Sequence, residues 1–160
     1  MIFVTVGMHY QGFERLIKKM DEIAGKIDEE VVMQIGHTKY KPKNAKYFDF
    51  VDSDEKILEY FKRARVIVSH AGAGTLLNAL HFGKPVIVVP RLKKFGEHVD
   101  DQQLELAEVL SKAGKVIAVY DVNKLEEALK KVDKLNSKII GRNNNRLVEF
   151  LKNYIRSLEK

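Results

Sequence analysis

Short apolar runs rich in β-branched residues alternate along the chain with longer stretches whose apolar positions recur every three or four residues. The runs fit strands of a parallel sheet, and the stretches fit the helices that cross between them. Residues 2–6, IFVTV, predict a first strand. Residues 13–24 predict a helix with Phe13, Leu16, Ile17 and Met20 on one face. Further strands are expected over 31–35, 47–51, 66–69, 86–89 and 116–119. The run VIVV at 86–89 has no polar position, so it belongs inside the sheet with both faces covered. Helices are expected over 52–64, 75–82, 100–113 and 143–158, with one more opening near Asn123. Asp52 with Glu55 reads as a capping box, and Asn123 with Glu126 as another. Gly83 and Gly114 stand where helices stop. The last helix carries a broad apolar stripe of Leu147, Val148, Phe150, Leu151, Tyr154, Ile155 and Leu158.

One connection strains this pattern. Residues 36–46 hold a proline and several lysines, and read as a loop. A crossover between parallel strands usually needs a dozen or more residues. Either the segment contains a helical turn, or the strands it joins are not neighbours. No repeat, low-complexity tract or linker interrupts the 160 residues, so a single domain over 1–160 is expected.

Composition narrows the class. Hydrophobic residues make up 45% and charged residues 31%, as in a globular protein and unlike a disordered one. No apolar run approaches the ~20 residues that span a bilayer. The opening MIFVTVGMHY lacks the basic start and long apolar stretch of a signal peptide. Cysteine is absent, which removes disulfides and thiolate metal sites and is compatible with the cytosol. The net charge of +6 admits an anionic partner such as a nucleotide or a membrane surface. Lys and Glu are nevertheless interspersed, as in EEALKKVDK, which fits a solvated surface. No basic block is interleaved with aromatics, so a nucleic-acid groove is not expected.

Three segments follow predicted strands, where ligands of open α/β sheets bind. Ser69-His70-Ala71-Gly72-Ala73-Gly74-Thr75 leads from a strand into a helix. Glycines there let backbone N–H groups approach a phosphate, and a helix N-terminus carries partial positive charge. A tight turn needing glycine explains the same residues. The segment is neither a Walker A loop nor a full G-x-G-x-x-G. Thr5-Val6-Gly7-Met8-His9 follows the first strand; taken alone, Gly7 is better read as a strand-ending glycine. His98-Val99-Asp100-Asp101-Gln102-Gln103 offers amides suited to sugar hydroxyls, although Asp commonly caps a helix. Zinc-ligand spacings are missing, so no metal site is expected.

TVG, QIG, SHAGAGTLLNAL, GKPVIVVPR and then H-x-x-x-x-Q occur in this order. In this the chain resembles the C-terminal, donor-binding domain of family 28 glycosyltransferases of GT-B architecture, over roughly the first three-quarters of its length. Within that family it resembles the stand-alone versions. These are the soluble catalytic subunit of the two-part UDP-N-acetylglucosamine transferase of N-glycan assembly, and small subunits of bacterial polysaccharide glycosyltransferases. The resemblance implies an α/β, Rossmann-like parallel sheet flanked by helices, one half of a GT-B enzyme. It implies that Gly7, Met8 and His9 lie near a diphosphate that Gly72, Ala73, Gly74 and Thr75 hold. It places Gln102 and Gln103 at the donor sugar and Asn78 at the ribose. Relatives commonly have Glu at that last position, and an amide offers one acceptor oxygen where a carboxylate offers two.

The implied reaction is inverting and metal-independent. It moves a sugar, N-acetylglucosamine by the resemblance, from a UDP-sugar to a lipid-linked acceptor. The UDP-sugar is a substrate, and no cofactor is expected. No residue stands out as the base; His9 and His70 are weak candidates. One domain is half of a GT-B enzyme, so a membrane-anchored, acceptor-binding partner subunit is expected, to which the last helix contributes a docking face. The chain would then be cytoplasmic and peripheral at the membrane through that partner. A non-catalytic nucleotide-binding or regulatory module of the same fold is the alternative. A sugar-nucleotide epimerase is a third reading, for which no carboxylate pair is evident.

Overall fold

The structure, a computed structural model, describes residues 1–139 (side chains through Val132) together with 149, 151–153 and 156. Among these, six strands form one parallel sheet. They are β1 (Ile2–Thr5), β2 (Val31–Gln34), β3 (Lys46–Phe48), β4 (Val66–Ser69), β5 (Val86–Val88) and β6 (Ile117–Ala118). The helices are α1 (Glu14–Ala24), α2 (Asp54–Arg63), α3 (Ala73–His81), α4 (Gln102–Lys112) and α5 (Leu125–Ile139). The strand order is β3-β2-β1-β4-β5-β6. The chain builds outward from β1 to β3, returns to β4 beside β1, and then builds the other way. That reversal opens a crevice beyond the carboxyl ends of β1 and β4.

Side chains alternate between the two faces of β1. Ile2 and Val4 join Leu16, Ile17 and Met20 of α1 and Leu125 and Ala128 of α5 in one core layer. Phe3 points the other way, into a layer with Phe61 of α2, Leu76 and Leu80 of α3, and Leu106 and Leu110 of α4. As expected, β5 is buried on both faces. Leu151 is buried in the second layer. The rest of the apolar stripe expected over 143–158 lies outside the described residues.

The doubtful connection resolves without a helix. β2 and β3 are parallel neighbours, with Met33 opposite Tyr47. Side chains of α1 replace the missing crossover helix as support for the loop. The Asp21 carboxylate accepts from the Lys43 and Asn44 amides at 3.0 and 2.8 Å. Glu14 accepts from the Lys39 and Tyr40 amides, both at 3.0 Å. The Phe13 amide donates to the Thr38 hydroxyl at 3.0 Å.

Several helix starts differ from expectation; α4 begins at Gln102, two residues after the expected Asp100. Ser53, and not Asp52, caps α2, its hydroxyl accepting from the Lys56 amide at 3.4 Å. Asp52 pairs instead with the Lys56 ammonium at 2.7 Å. Asn123 lies within a 3-10 turn, Val122–Lys124, capped by the Asp121 carboxylate, so α5 opens at Leu125. α3 begins at Ala73, two residues before the expected start, which places Gly74 inside its first turn.

Candidate functional site

The crevice between β1 and β4 is a cleft of about 480 Å³. Gly7 and Met8 line one side, from the loop after β1. Gly72, Gly74, Thr75 and Asn78 line another, from the start of α3. The third wall is 50–54 with Ile57, the segment between β3 and the first turns of α2. Sequence reasoning missed that wall. Its signal was its position at the carboxyl end of a strand in the same sheet, where it brings the apolar Phe50 and the carboxylates Asp52 and Asp54 to the cleft.

α3 meets the cleft with its N-terminus open. Gly72 is the N-cap residue, no side chain caps the helix, and the first helical bond runs from the Leu76 amide to the Gly72 carbonyl. The amides of Ala73, Gly74 and Thr75 therefore have no partner among the described residues. Such donors, with the partial positive charge of the helix terminus, suit an anion.

Buried polar side chains set the loops around this terminus. Gln34, 4% exposed, accepts from the Thr5 hydroxyl at 2.7 Å and from the Val6 and Gly7 amides at 3.1 Å. Its amide nitrogen donates to the Gly7 and Asp49 carbonyls, both at 3.0 Å. One side chain thus ties Gly7 to the segment leading into the third wall. The motif QIG had marked Gln34 without revealing this work.

Gln103 does the matching task on the other side. Its oxygen accepts from the amides of Ala71 and Arg91, each at 3.1 Å, and those two backbone donors fix which end of the side-chain amide is oxygen. Its nitrogen must then donate to Nδ1 of His70, 3.1 Å away. His70 is buried; burial, with the Arg91 charge adding to it, pushes its pKa down to about 3, so the ring is neutral. With Nδ1 accepting, the ring proton sits on Nε2 and donates to the Thr75 hydroxyl at 3.2 Å. Thr75 therefore accepts from His70 and keeps its own O–H to donate into the cleft. His70 also occupies the space against both glycine loops. A Cβ at Gly7, where φ is +73°, would lie 2.6 Å from its Nε2, and one at Gly72 would lie 2.2 Å from its Cε1.

These contacts bear on two expectations. His70 is a poor base, because both ring nitrogens are engaged and its proton affinity is low. Gln103 is 8% exposed, and its oxygen and one of its N–H donors are engaged within the protein, so it ties the loop after β4 to Arg91 and to the His70 ring. Gln102 is exposed at the start of α4 and is not among the residues lining the cleft. His9 also stands outside that lining. Its Nε2 is 2.6 Å from the Gln11 side-chain oxygen, and its ring stacks on His98 at 4.4 Å. His98 in turn lies 3.1 Å from the Asp100 carboxylate. Burial lowers the His98 pKa, helped by His9 and opposed by Asp100. The structure thus gathers Gly7, Met8, Gly72, Gly74, Thr75 and Asn78 around one cleft, with Ala73 opening the helix there.

A doubly wound parallel sheet with a cleft at the strand reversal and an open helix terminus in it is a Rossmann-like arrangement, of the kind that forms each half of a GT-B glycosyltransferase. More narrowly, the chain belongs to glycosyltransferase family 28, matching the model of that family's C-terminal domain over residues 1–158. It is 32% identical over 123 residues to the UDP-N-acetylglucosamine transferase subunit ALG13 of Homo sapiens, covering 71% of this chain and 10% of that protein. It is 26% identical over 145 residues to the UDP-N-acetylglucosamine--N-acetylmuramyl-(pentapeptide) pyrophosphoryl-undecaprenol N-acetylglucosamine transferase of Prochlorococcus marinus (strain MIT 9312), covering 89% of this chain and 38% of that one. The chain thus spans less than two fifths of the length of either relative. An NMR solution structure of ALG13 shares the fold, with a TM-score of 0.62 at 20% identity, over 94% of this chain and 93% of that one.

Proposed function

We propose that the chain is the donor-binding subunit of an inverting, metal-independent glycosyltransferase that uses a UDP-sugar, with N-acetylglucosamine as the sugar. The observation that carries this reading is the open α3 terminus facing a cleft at the strand reversal. The diphosphate sits on the Ala73, Gly74 and Thr75 amides and the Thr75 hydroxyl, with the Gly7 loop opposite. The nucleoside lies along the third wall, its base against Phe50 and its ribose beside Asn78. The relatives' printed names, both UDP-N-acetylglucosamine or N-acetylglucosamine transferases, support the choice of sugar nucleotide.

Chemically, the terminus does most where charge develops. When the bond between the sugar and the diphosphate breaks, negative charge grows on the departing phosphate oxygen. Fixed N–H donors and the Thr75 hydroxyl stabilise that charge without reorganising. Among the described residues none stands out to position an acceptor nucleophile, and positioning is worth about 7–11 kcal/mol of barrier. A membrane-anchored partner supplies the acceptor wall and a lipid-linked acceptor. Such a partner finds an apolar rim here: Met8, Tyr10, Phe95, Val99 and Tyr120 are exposed and all stand in loops after strands. The name of the relative as a transferase subunit supports a partnered enzyme. The test is transfer of radiolabelled N-acetylglucosamine from its UDP donor to a lipid-linked acceptor, with and without a co-expressed membrane-anchored partner. Transfer is expected only with the partner; turnover by the lone chain contradicts the two-part reading.

A further inference from the structure

Arg91 has no exposed surface, yet it is a cation. Burial pulls its pKa down to about 10, which leaves it charged at neutral pH. All of its side-chain hydrogen bonds end on backbone carbonyls. One terminal nitrogen donates to Val6 at 2.6 Å. The other donates to Gln11 at 2.8 Å, Glu97 at 3.0 Å and Gly12 at 3.3 Å. Nε has no partner, and the guanidinium lies over the Phe13 ring at 5.0 Å. The nearby Glu97 carboxylate is taken by others: both its oxygens face Arg15 at 3.0 Å, and one also accepts from the Leu92 amide. Two guanidiniums against one carboxylate leave one net positive charge in this buried cluster.

The guanidinium stands against the loop after β1, and the backbone of Arg91 is tied to the loop after β4. Val6, which accepts from Arg91, precedes Gly7. The Arg91 amide shares the Gln103 oxygen with the amide of Ala71, which precedes Gly72. The Arg91 charge also helps hold His70 neutral. Burying a cation is costly, and carbonyl dipoles alone repay only part of it. A neutral side chain of similar length would brace the loops at lower cost.

We propose that Arg91 is a positioning residue for the diphosphate: it clamps the loop after β1 and supplies a buried positive charge beneath the site that favours a phosphorylated nucleoside over a neutral one. The inference rests on the reading of the cleft as a UDP-sugar site. In the low-dielectric interior such a charge acts on a nearby anion with little screening. It acts through the field and through the loops, and does not touch the ligand.

The test compares UDP and uridine, titrated against the full chain by NMR. The readout is the ratio of their dissociation constants, and circular dichroism on the same samples checks folding. The wild type is expected to bind UDP the more tightly. Arg91→Gln keeps two N–H donors on a shorter side chain and removes the charge, and Arg91→Met removes both donors and charge. Each is expected to cut the preference for UDP by about tenfold, whereas Arg91→Lys, which keeps the charge, preserves it within about threefold. A folded Gln or Met variant in which both ligands weaken by one factor overturns the proposal and leaves a structural clamp. Glu97→Gln decides the matter should neutral residues at 91 prevent folding. It makes the cluster more positive without touching Arg91, so the preference for UDP rises; a fall or no change overturns the proposal. A wild type that binds neither ligand defeats the nucleotide reading itself, and this inference with it.

Discussion

Gly72 and Gly74 are two residues apart and lack a side chain for different reasons. A Cβ on Gly72 would run into His70, whereas one on Gly74 would meet nothing within 4 Å. Gly74 has no fold-level need to be glycine, and it lies in the first turn of α3, where glycine is unfavourable. A ligand that must approach the backbone explains it. Gly74→Ala should therefore stabilise the fold by about 0.4–1 kcal/mol while weakening UDP binding. Urea unfolding and calorimetry on one preparation check both; unchanged binding in the stabilised variant removes Gly74 from the site. His70 yields a second prediction, in pH. Its native pKa is about 3, against 6.5 when unfolded. Between those values the unfolded chain binds the extra proton, so this stability is fully present above 6.5 and is lost as pH falls toward 3. His98, also lowered, adds a slope of the same sign. Urea midpoints of the wild type should fall from pH 7 to pH 5, and those of His70→Gln should fall less steeply. Parallel slopes would show that His70 is not the proton-linked group.

At the scale of elements, the strands were legible because their apolar runs are short and bounded; only the third, expected over 47–51 and observed at Lys46–Phe48, ends as many as three residues early. Helix starts were less legible because several capping candidates sit side by side. At 52–54 the sequence reads Asp-Ser-Asp, and any of the three is a good cap. Backbone geometry chose Ser53, while Asp52 found Lys56. The β2–β3 loop was ambiguous for another reason: its support comes from Glu14 and Asp21 of a helix earlier in the chain. The site divides in the same way. Gly72, Gly74 and Thr75 stand in a local glycine-rich motif, whereas Gly7 taken alone reads as a strand-ending glycine and gains its place only from the resemblance and the fold. Gln34, Gln103 and Arg91 act through partners up to 85 positions away, and no local pattern encodes that.

For the whole molecule, the central claim is that one cleft at the strand reversal holds the nucleotide of a sugar donor. A competing location exists on the same chain. A groove of about 640 Å³ lies beside α4, lined by Arg15, Phe95, Leu104 and Tyr120. It has comparable room and two basic residues, Arg15 and Lys94, but no glycine among its lining residues, and the carboxylates Asp101, Glu108 and Asp121 line it as well. Amide chemical shifts distinguish the two directly. Titrating UDP-N-acetylglucosamine into the isotopically labelled chain should move the amides of Gly7, Gly72, Ala73, Gly74, Thr75 and Asn78 in one saturable process. An equal concentration of ADP should move them less. Shifts that instead gather around Phe95, Leu104 and Tyr120, or an equal response to ADP, would contradict the account.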